Sequence, residues 1–207
     1  MYDFVTHTWN TIKGECPHQC SYCYMHRWGK QRPVRFDEKE LKTDLGNGNF
    51  IFVGSSCDMF ASKIEPDWTS ATLEHCQGFD NKYLFQTKNP SNINGYNLPK
   101  NSVVCTTIET NRWYEDVMKD SPHPYIRALG MIGIDLPKYL TIEPILDFDF
   151  KEMVEIIKSV NPVQVNIGAD SGNNKLPEPS KAKVLELIAE LQKFTTIHRK
   201  SNLNRLL

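Results

Sequence analysis

No run of about 18 consecutive apolar residues occurs in this 207-residue chain, so no segment is suited to crossing a membrane as a helix. The N-terminal MYDFVTHTWNTIKG has no basic start followed by an apolar core, which argues against a secretory signal peptide. Neither sign of charge dominates: 24 Lys and Arg face 25 Asp and Glu, for a net charge of −1. That balance gives no global attraction to nucleic acid or to an anionic membrane; any such affinity has to come from a local patch. Repeats, low-complexity stretches and linker-like runs are also missing, so a single domain over 1–207 is expected. Cysteine is scarce, with six in all. These absences favour a cytoplasmic chain, in which thiols stay reduced.

Three of the six cysteines nevertheless fall in one short stretch, CPHQCSYCY, residues 16–24. Clustered cysteines in a reducing setting read as metal ligands or redox groups rather than as disulfides. Cys16, Cys20 and Cys23 bring three thiolates, and no fourth cysteine lies nearby. Four-iron clusters usually take four thiolates. A trio leaves one iron open to a substrate or cofactor, as catalytic metal sites leave a position open. The rival is a closed zinc site with His18 or His26 as fourth ligand. The scattered Cys57, Cys76 and Cys105 read as small buried hydrophobes.

Along the chain, short apolar or β-branched runs alternate with helical periodicity. Strands are expected at Val5–Ile12, Phe50–Val53, Tyr83–Thr87, Ser102–Ile108, Tyr139–Ile142 and Val163–Ile167, with a weaker one at Thr195–His198. Helices are expected at Asp37–Leu45, Asp67–Cys76, Pro124–Ile132, Phe148–Ser159 and Ser180–Lys193. Strand then helix, six times over, gives an α/β fold: a partial, open (β/α)6 barrel of parallel strands with helices outside. Function in such folds gathers at the carboxyl ends of the strands. Those ends read GSSCDMF (54–60), QTKNP (86–90), TTIETN (106–111), TIEP (141–144) and NIGADSGNN (166–174). Gln86, Lys88, Thr107, Glu109, Thr141 and Glu143 share alternating positions, so they are expected to line a polar cavity inside the barrel.

The CxxxCxxC spacing, the aromatic residue just before its last cysteine and its place after strand one of a partial (β/α) barrel resemble the radical S-adenosylmethionine (SAM) superfamily. The resemblance implies a 4Fe–4S cluster on Cys16, Cys20 and Cys23, with SAM chelated at the open iron. It implies reductive cleavage of SAM to methionine and a 5′-deoxyadenosyl radical that takes hydrogen from substrate. A reductant protein such as a flavodoxin or ferredoxin would supply the electron. Within the superfamily, CPHQCSYCY is similar to the cluster loop of spore photoproduct lyase, which has tyrosines on both sides of the third cysteine, here Tyr22 and Tyr24. In that family the tyrosines are implicated in returning hydrogen, which would make Tyr24 catalytic and set Tyr22 beside the cofactor.

Two further strand ends carry the likeness. GSSCDMF is similar to the lyase segment that meets SAM, which implies contacts from Ser55, Ser56 and Asp58. QTKNP is similar to its threonine–lysine pair and implies Lys88 near the SAM carboxylate; Thr107 fits the hydroxyl residue after strand four. The charges agree, since a carboxylate such as Asp58 can accept from the SAM ammonium and Lys88 can pair with its carboxylate. Ribose hydroxyls suit Glu109 or Thr107. The plain alternatives are a mutual or solvated ion pair for Lys88 and Glu109, and a turn or cap role for Asp58. Aligning on Asp58 puts Ser55 where the lyase has its hydrogen-donating cysteine, and Cys57 follows two residues later, as a donor or as a buried thiol. A small phage-associated radical SAM family shares the IEP-like end of strand five.

Substrate signals are local. MHRWGKQRPVR, residues 25–35, sets Arg27, Lys30, Arg32 and Arg35 around Trp28, a composition that binds phosphates and stacks a base. The C-terminal HRKSNLNRLL adds a second basic cluster. The first expectation is therefore a radical SAM enzyme on a nucleic-acid or nucleotide-type substrate. A peptide or small metabolite is the alternative within that class, and a zinc-stabilised nucleic-acid-binding module is the alternative outside it.

Overall fold

The structure, a computed structural model, describes residues 2–207. β1 (His7–Trp9) leads into an antiparallel ribbon of β2 (Ile12–Lys13) and β3 (Arg35–Phe36). Then come β4 (Phe50–Val53), β5 (Lys82–Gln86), β6 (Ser102–Thr107), β7 (Lys138–Ile142), β8 (Gln164–Ile167) and β9 (Thr196–Arg199). With β1 these six form one parallel sheet of seven strands, in the order β1-β4-β5-β6-β7-β8-β9. Each main-sheet strand lies beside its predecessor and β1 does not pair with β9, which is the winding of an open barrel. The five α-helices are α1 (Pro66–Gln77), α2 (Glu115–Met118), α3 (Pro124–Ile132), α4 (Phe150–Val160) and α5 (Lys181–Leu191). None is long and apolar enough to cross a membrane.

Alternation along the strands builds two cores. One face of each strand, including Ile51, Val53, Tyr83, Phe85, Val104, Leu140, Ile142, Val165 and Ile167, packs in the large cluster that also holds the apolar sides of α1, α3, α4 and α5. The opposite face supplies Leu84, Val103 and Cys105, which pack with Phe50, Phe52 and Tyr139 and with Tyr2, Phe4 and Val5 from the N-terminal segment. That segment fills one end of the barrel. Phe4 meets Tyr139 edge-on at 5.9 Å between centroids, and Asp3 pairs with His198 of β9 at 2.9 Å. Farther along the same inward face the side chains turn polar: Gln86, Thr107, Thr141 and Asn166.

Two local expectations change. The predicted strand Val5–Ile12 is broken at Asn10, because the Asn10 side-chain oxygen accepts from Ser56 N (2.9 Å), Ser56 Oγ (3.0 Å) and Ser55 Oγ (3.2 Å). The predicted helix Asp37–Leu45 is a 3₁₀ turn, Glu38–Lys42, although Leu41 and Leu45 still pack on the core. The weaker strand near Thr195–His198 is present as β9.

The β2–β3 ribbon is the neck of the loop that carries Cys16, Cys20 and Cys23. Gly14 sits there at φ +110°, and a Cβ on it would lie 2.6 Å from Pro33 O and 2.7 Å from Arg32 O. Glu15 N donates to Arg32 O across the same point (2.8 Å). Gly14→Ala therefore combines left-handed backbone strain with a backbone clash, and is expected to cost about 2 kcal/mol or more in urea unfolding. An unchanged midpoint would show that the neck does not need glycine.

Candidate active site

A cavity of about 790 Å³ opens at the carboxyl ends of the strands. Cys16, Cys20 and Cys23 line it, together with Tyr22, Tyr24, Ser55, Ser56, Cys57, Asp58, Lys88 and Thr107. All the predicted site residues but one are thus brought to one space. The exception is Glu109.

The cysteine loop is docked on the segment of α2. Ser21 N donates to Val117 O (3.0 Å), Asp120 N donates to His18 O (3.1 Å), and the Cys20 thiol approaches Met118 O (3.9 Å). Contact with the Cys57 thiol pulls the Cys16 pKa down, to about 6, and the same contact with burial pushes Cys57 up. Burial raises Cys23. Cys57 is buried against the core and turned toward Cys16.

Among the described residues, no three His, Cys, Asp or Glu side chains converge on a point that one ion could occupy. One ring nitrogen of each histidine of the zinc alternative is hydrogen-bonded: His18 Nε2 donates to Asp58 Oδ2 (2.8 Å), and His26 Nδ1 faces Ser21 O (3.2 Å).

Asp58 lies in the cavity wall, where other residues of the chain also hold it. Its carboxylate lines the cavity, yet it already accepts four hydrogen bonds. These come from His18 Nε2 (2.8 Å), Thr87 Oγ1 (2.9 Å), Lys88 N (2.8 Å) and Phe60 N (3.0 Å). Three of these bonds fall on Oδ2 and one on Oδ1, so Oδ1 keeps an acceptor position. Burial pushes its pKa up, but His18, the Lys88 amide and Thr87 together outweigh that and lower it. Its geometry is that of a joint between the cysteine loop, its own turn and the end of β5.

Glu109 departs from expectation. It lies outside the cavity, with Arg127 Nη1 2.7 Å from its Oε2 and both side chains fully buried. The Tyr22 hydroxyl donates to its other oxygen. Arg127 also donates to Pro122 O (2.6 Å), Thr107 O (2.9 Å) and Ser121 Oγ (2.8 Å). The ion pair read as an alternative for Glu109 exists, but its partner is Arg127 rather than Lys88. Sequence reading missed Arg127; its signal was a cation on the face of α3 that otherwise buries Pro124, Ala128 and Met131.

Lys88 is left without an anionic partner. Its Nζ lies 5.3 Å from the centre of the Tyr22 ring, inside the cavity wall. Burial disfavours its charge, but Cys20 and Glu109 outweigh burial and raise its pKa. Thr107 Oγ1 accepts from Gln86 Nε2 (3.0 Å), and Tyr2 OH donates to Gln86 Oε1 (2.8 Å) and meets Thr141 Oγ1 (2.5 Å). Together they make a polar floor. Tyr24 OH donates to Ser55 O (2.5 Å) at the rim. On the far wall Glu143 pairs with Lys200 and accepts from Asn202 Nδ2 (2.7 Å). Two of the C-terminal cations are thus spent internally, Lys200 on Glu143 and Arg205 on Glu178.

No family model and no curated protein matches the chain. Solved structures do. A spore photoproduct lyase variant with bound AdoMet and dinucleoside spore photoproduct superposes with a TM-score of 0.64 at 12% identity, covering 92% of this chain and 74% of that one. A second lyase variant gives 0.64 at 11% identity, over 97% and 78%. SuiB from Streptococcus suis, bound to S-adenosylmethionine, gives 0.63 at 9% identity, over 96% of this chain and 51% of that one. The fold is therefore the partial barrel of radical SAM enzymes.

The buried pair yields a stability prediction. Burial pushes Glu109 up, but Arg127 and Lys88 outweigh it and hold the pKa below the ordinary glutamate value. A carboxylate lowered on folding contributes fully above its unfolded pKa of about 4.3, and that contribution is lost as pH falls through the lower folded value. Glu109→Gln should therefore flatten the acid limb of a stability–pH curve. Arg127→Met leaves a buried charge unpaired and should cost about 3–5 kcal/mol, partly recovered in Arg127→Met/Glu109→Met. Equal losses in single and double variants would contradict this.

Proposed function

We propose that this protein is a radical SAM enzyme acting on a nucleic-acid or nucleotide-type substrate. The observation that carries the reading is the convergence of three cysteines and one unpaired, buried-side lysine on a single cavity at the strand ends of this fold. Cys16, Cys20 and Cys23 would hold a 4Fe–4S cluster, and the open iron would take SAM. When bound, the pair supplies a 5′-deoxyadenosyl radical for hydrogen abstraction from substrate.

The chain's own residues do the rest. Lys88 presents a desolvated ammonium to a carboxylate, worth about 1.5–3 kcal/mol for a charged hydrogen bond. Asp58 fixes the Lys88 backbone and the cysteine loop through Oδ2, and its Oδ1 is left to accept from the SAM ammonium. Tyr22, anchored on Glu109, forms the wall under Lys88. Thr107 and Gln86 offer hydroxyl and amide groups to a ribose-like ligand. The narrowed β4 turn, with Ser55 and Ser56 tied to Asn10, closes one side against water. Tyr24 stands at the rim, so a role in returning hydrogen would be exercised at the mouth.

The lyase structure holds a dinucleoside, and four cations beside Trp28 supply matching chemistry on this chain; both support the nucleic-acid reading. A peptide substrate is the second reading, favoured by the likeness to SuiB bound to its precursor peptide SuiA. A flavodoxin- or ferredoxin-type donor is part of the proposal, because the reaction consumes an electron.

Anaerobically reconstituted protein should carry iron and sulfide and release 5′-deoxyadenosine from SAM under reductant. Cys20→Ala should lose most of its iron. Lys88→Ala should keep iron but weaken SAM binding about 10- to 100-fold, read by equilibrium dialysis. Full iron in Cys20→Ala would overturn the ligand set, and unchanged affinity in Lys88→Ala would overturn the carboxylate contact.

A further inference from the structure

From Cys16 to Phe36 the chain has no Asp or Glu, yet it carries Arg27, Lys30, Arg32 and Arg35. All four are exposed, and among the described residues none forms a salt bridge. Several cations elsewhere, Lys13, Arg112, Lys183, Lys200 and Arg205 among them, pair with carboxylates. This stretch instead holds four unpaired cations and no acid of its own, with Glu15 just before it at the neck.

The four cations form a track rather than a cluster. Arg27 and Lys30 line the cavity mouth, where Arg27 Nη2 donates to Ser171 O across it (2.6 Å). A neutral carbonyl leaves its charge unspent. Arg32 and Arg35 lie outside the cavity, on the loop's return limb and in β3. A mononucleotide at the mouth reaches only the first pair; engaging all four takes a polymer. Between mouth and track stands Trp28, 66% exposed, held edge-on to Tyr24 at 5.7 Å between centroids. An indole that remains this open beside cations suits stacking on an unpaired base. A duplex has no free base face to offer it.

We infer that the cysteine loop is a single-stranded nucleic-acid binding surface: Trp28 stacks a base next to the cavity, and Arg27, Lys30, Arg32 and Arg35 follow the phosphates away from it. This deepens the proposed nucleic-acid reading and rests on it only for the purpose of the bound strand, since binding needs no radical chemistry.

The test is fluorescence anisotropy of the reconstituted full chain with labelled 12-mers of thymidine or uridine, the same length as duplex, thymidine monophosphate, and an acidic peptide. Single strands should bind, with an affinity that falls with salt at a log–log slope of about −3, from roughly four phosphate contacts. Trp28→Ala should weaken binding about 10-fold. Arg32→Gln/Arg35→Gln should flatten the slope by about 1.4. Equal or tighter binding of duplex, of the monophosphate or of the acidic peptide overturns the inference, as does a slope near zero. Unchanged binding by Trp28→Ala in protein with unaltered circular dichroism overturns it too. SAM cleavage without strand binding sinks this surface alone; strand binding without any cleavage keeps the surface and sinks the enzyme reading.

Discussion

A carboxylate removed from water has to find donors, and at Asp58 that requirement ties the site together. Its four partners come from three separate places in the chain: His18 within the cysteine loop, Phe60 in its own turn, and Thr87 with Lys88 at the end of β5. Loss of any donor leaves a buried lone pair unpaired, at about 1–3 kcal/mol. Asp58 therefore fixes the cysteine loop against the end of β5, where Lys88 begins. Arg127 has the same role at a deeper layer of the barrel. It joins β6, the segment of α2 and, through Glu109, the ring of Tyr22.

How much of this was readable from residue order follows from the range of the forces involved. Strand positions came from alternation, a local property, and the parallel winding from strand–helix alternation. The inward polar set, Gln86, Thr107, Thr141 and Glu143, was legible because period two assigns a face without any knowledge of neighbours. Cys16, Cys20 and Cys23 were legible because their spacing is itself local. Partner choice was not. Asp58 and Lys88 were placed in the right cavity, but nothing in the sequence says that His18, forty residues away, occupies the Asp58 carboxylate. Glu109 shares the alternation of the cavity residues yet leaves it, because Arg127 offers a buried cation that only packing brings near.

Small elements failed for a related reason. The strand predicted through Asn10 stops there because that side chain is claimed by Ser55 and Ser56, a contact set by tertiary structure. The segment at Asp37–Leu45 has helical composition, yet only Leu41 and Leu45 reach the core. At 9–12% identity to the structures it resembles, the chain keeps the architecture through patterning of apolar and polar positions, and through few shared residues. The same tolerance explains how the partners of site residues can differ between chains of one fold.

The neck at Gly14 has a consequence for diversification. Because β2 and β3 clamp both ends of the intervening segment at one place, its length and charge are uncoupled from the register of the main sheet. A change of length between Trp28 and Arg32 would be absorbed at this clamp, whereas the part from Cys16 to Cys23 is held to the barrel by His18 and Ser21.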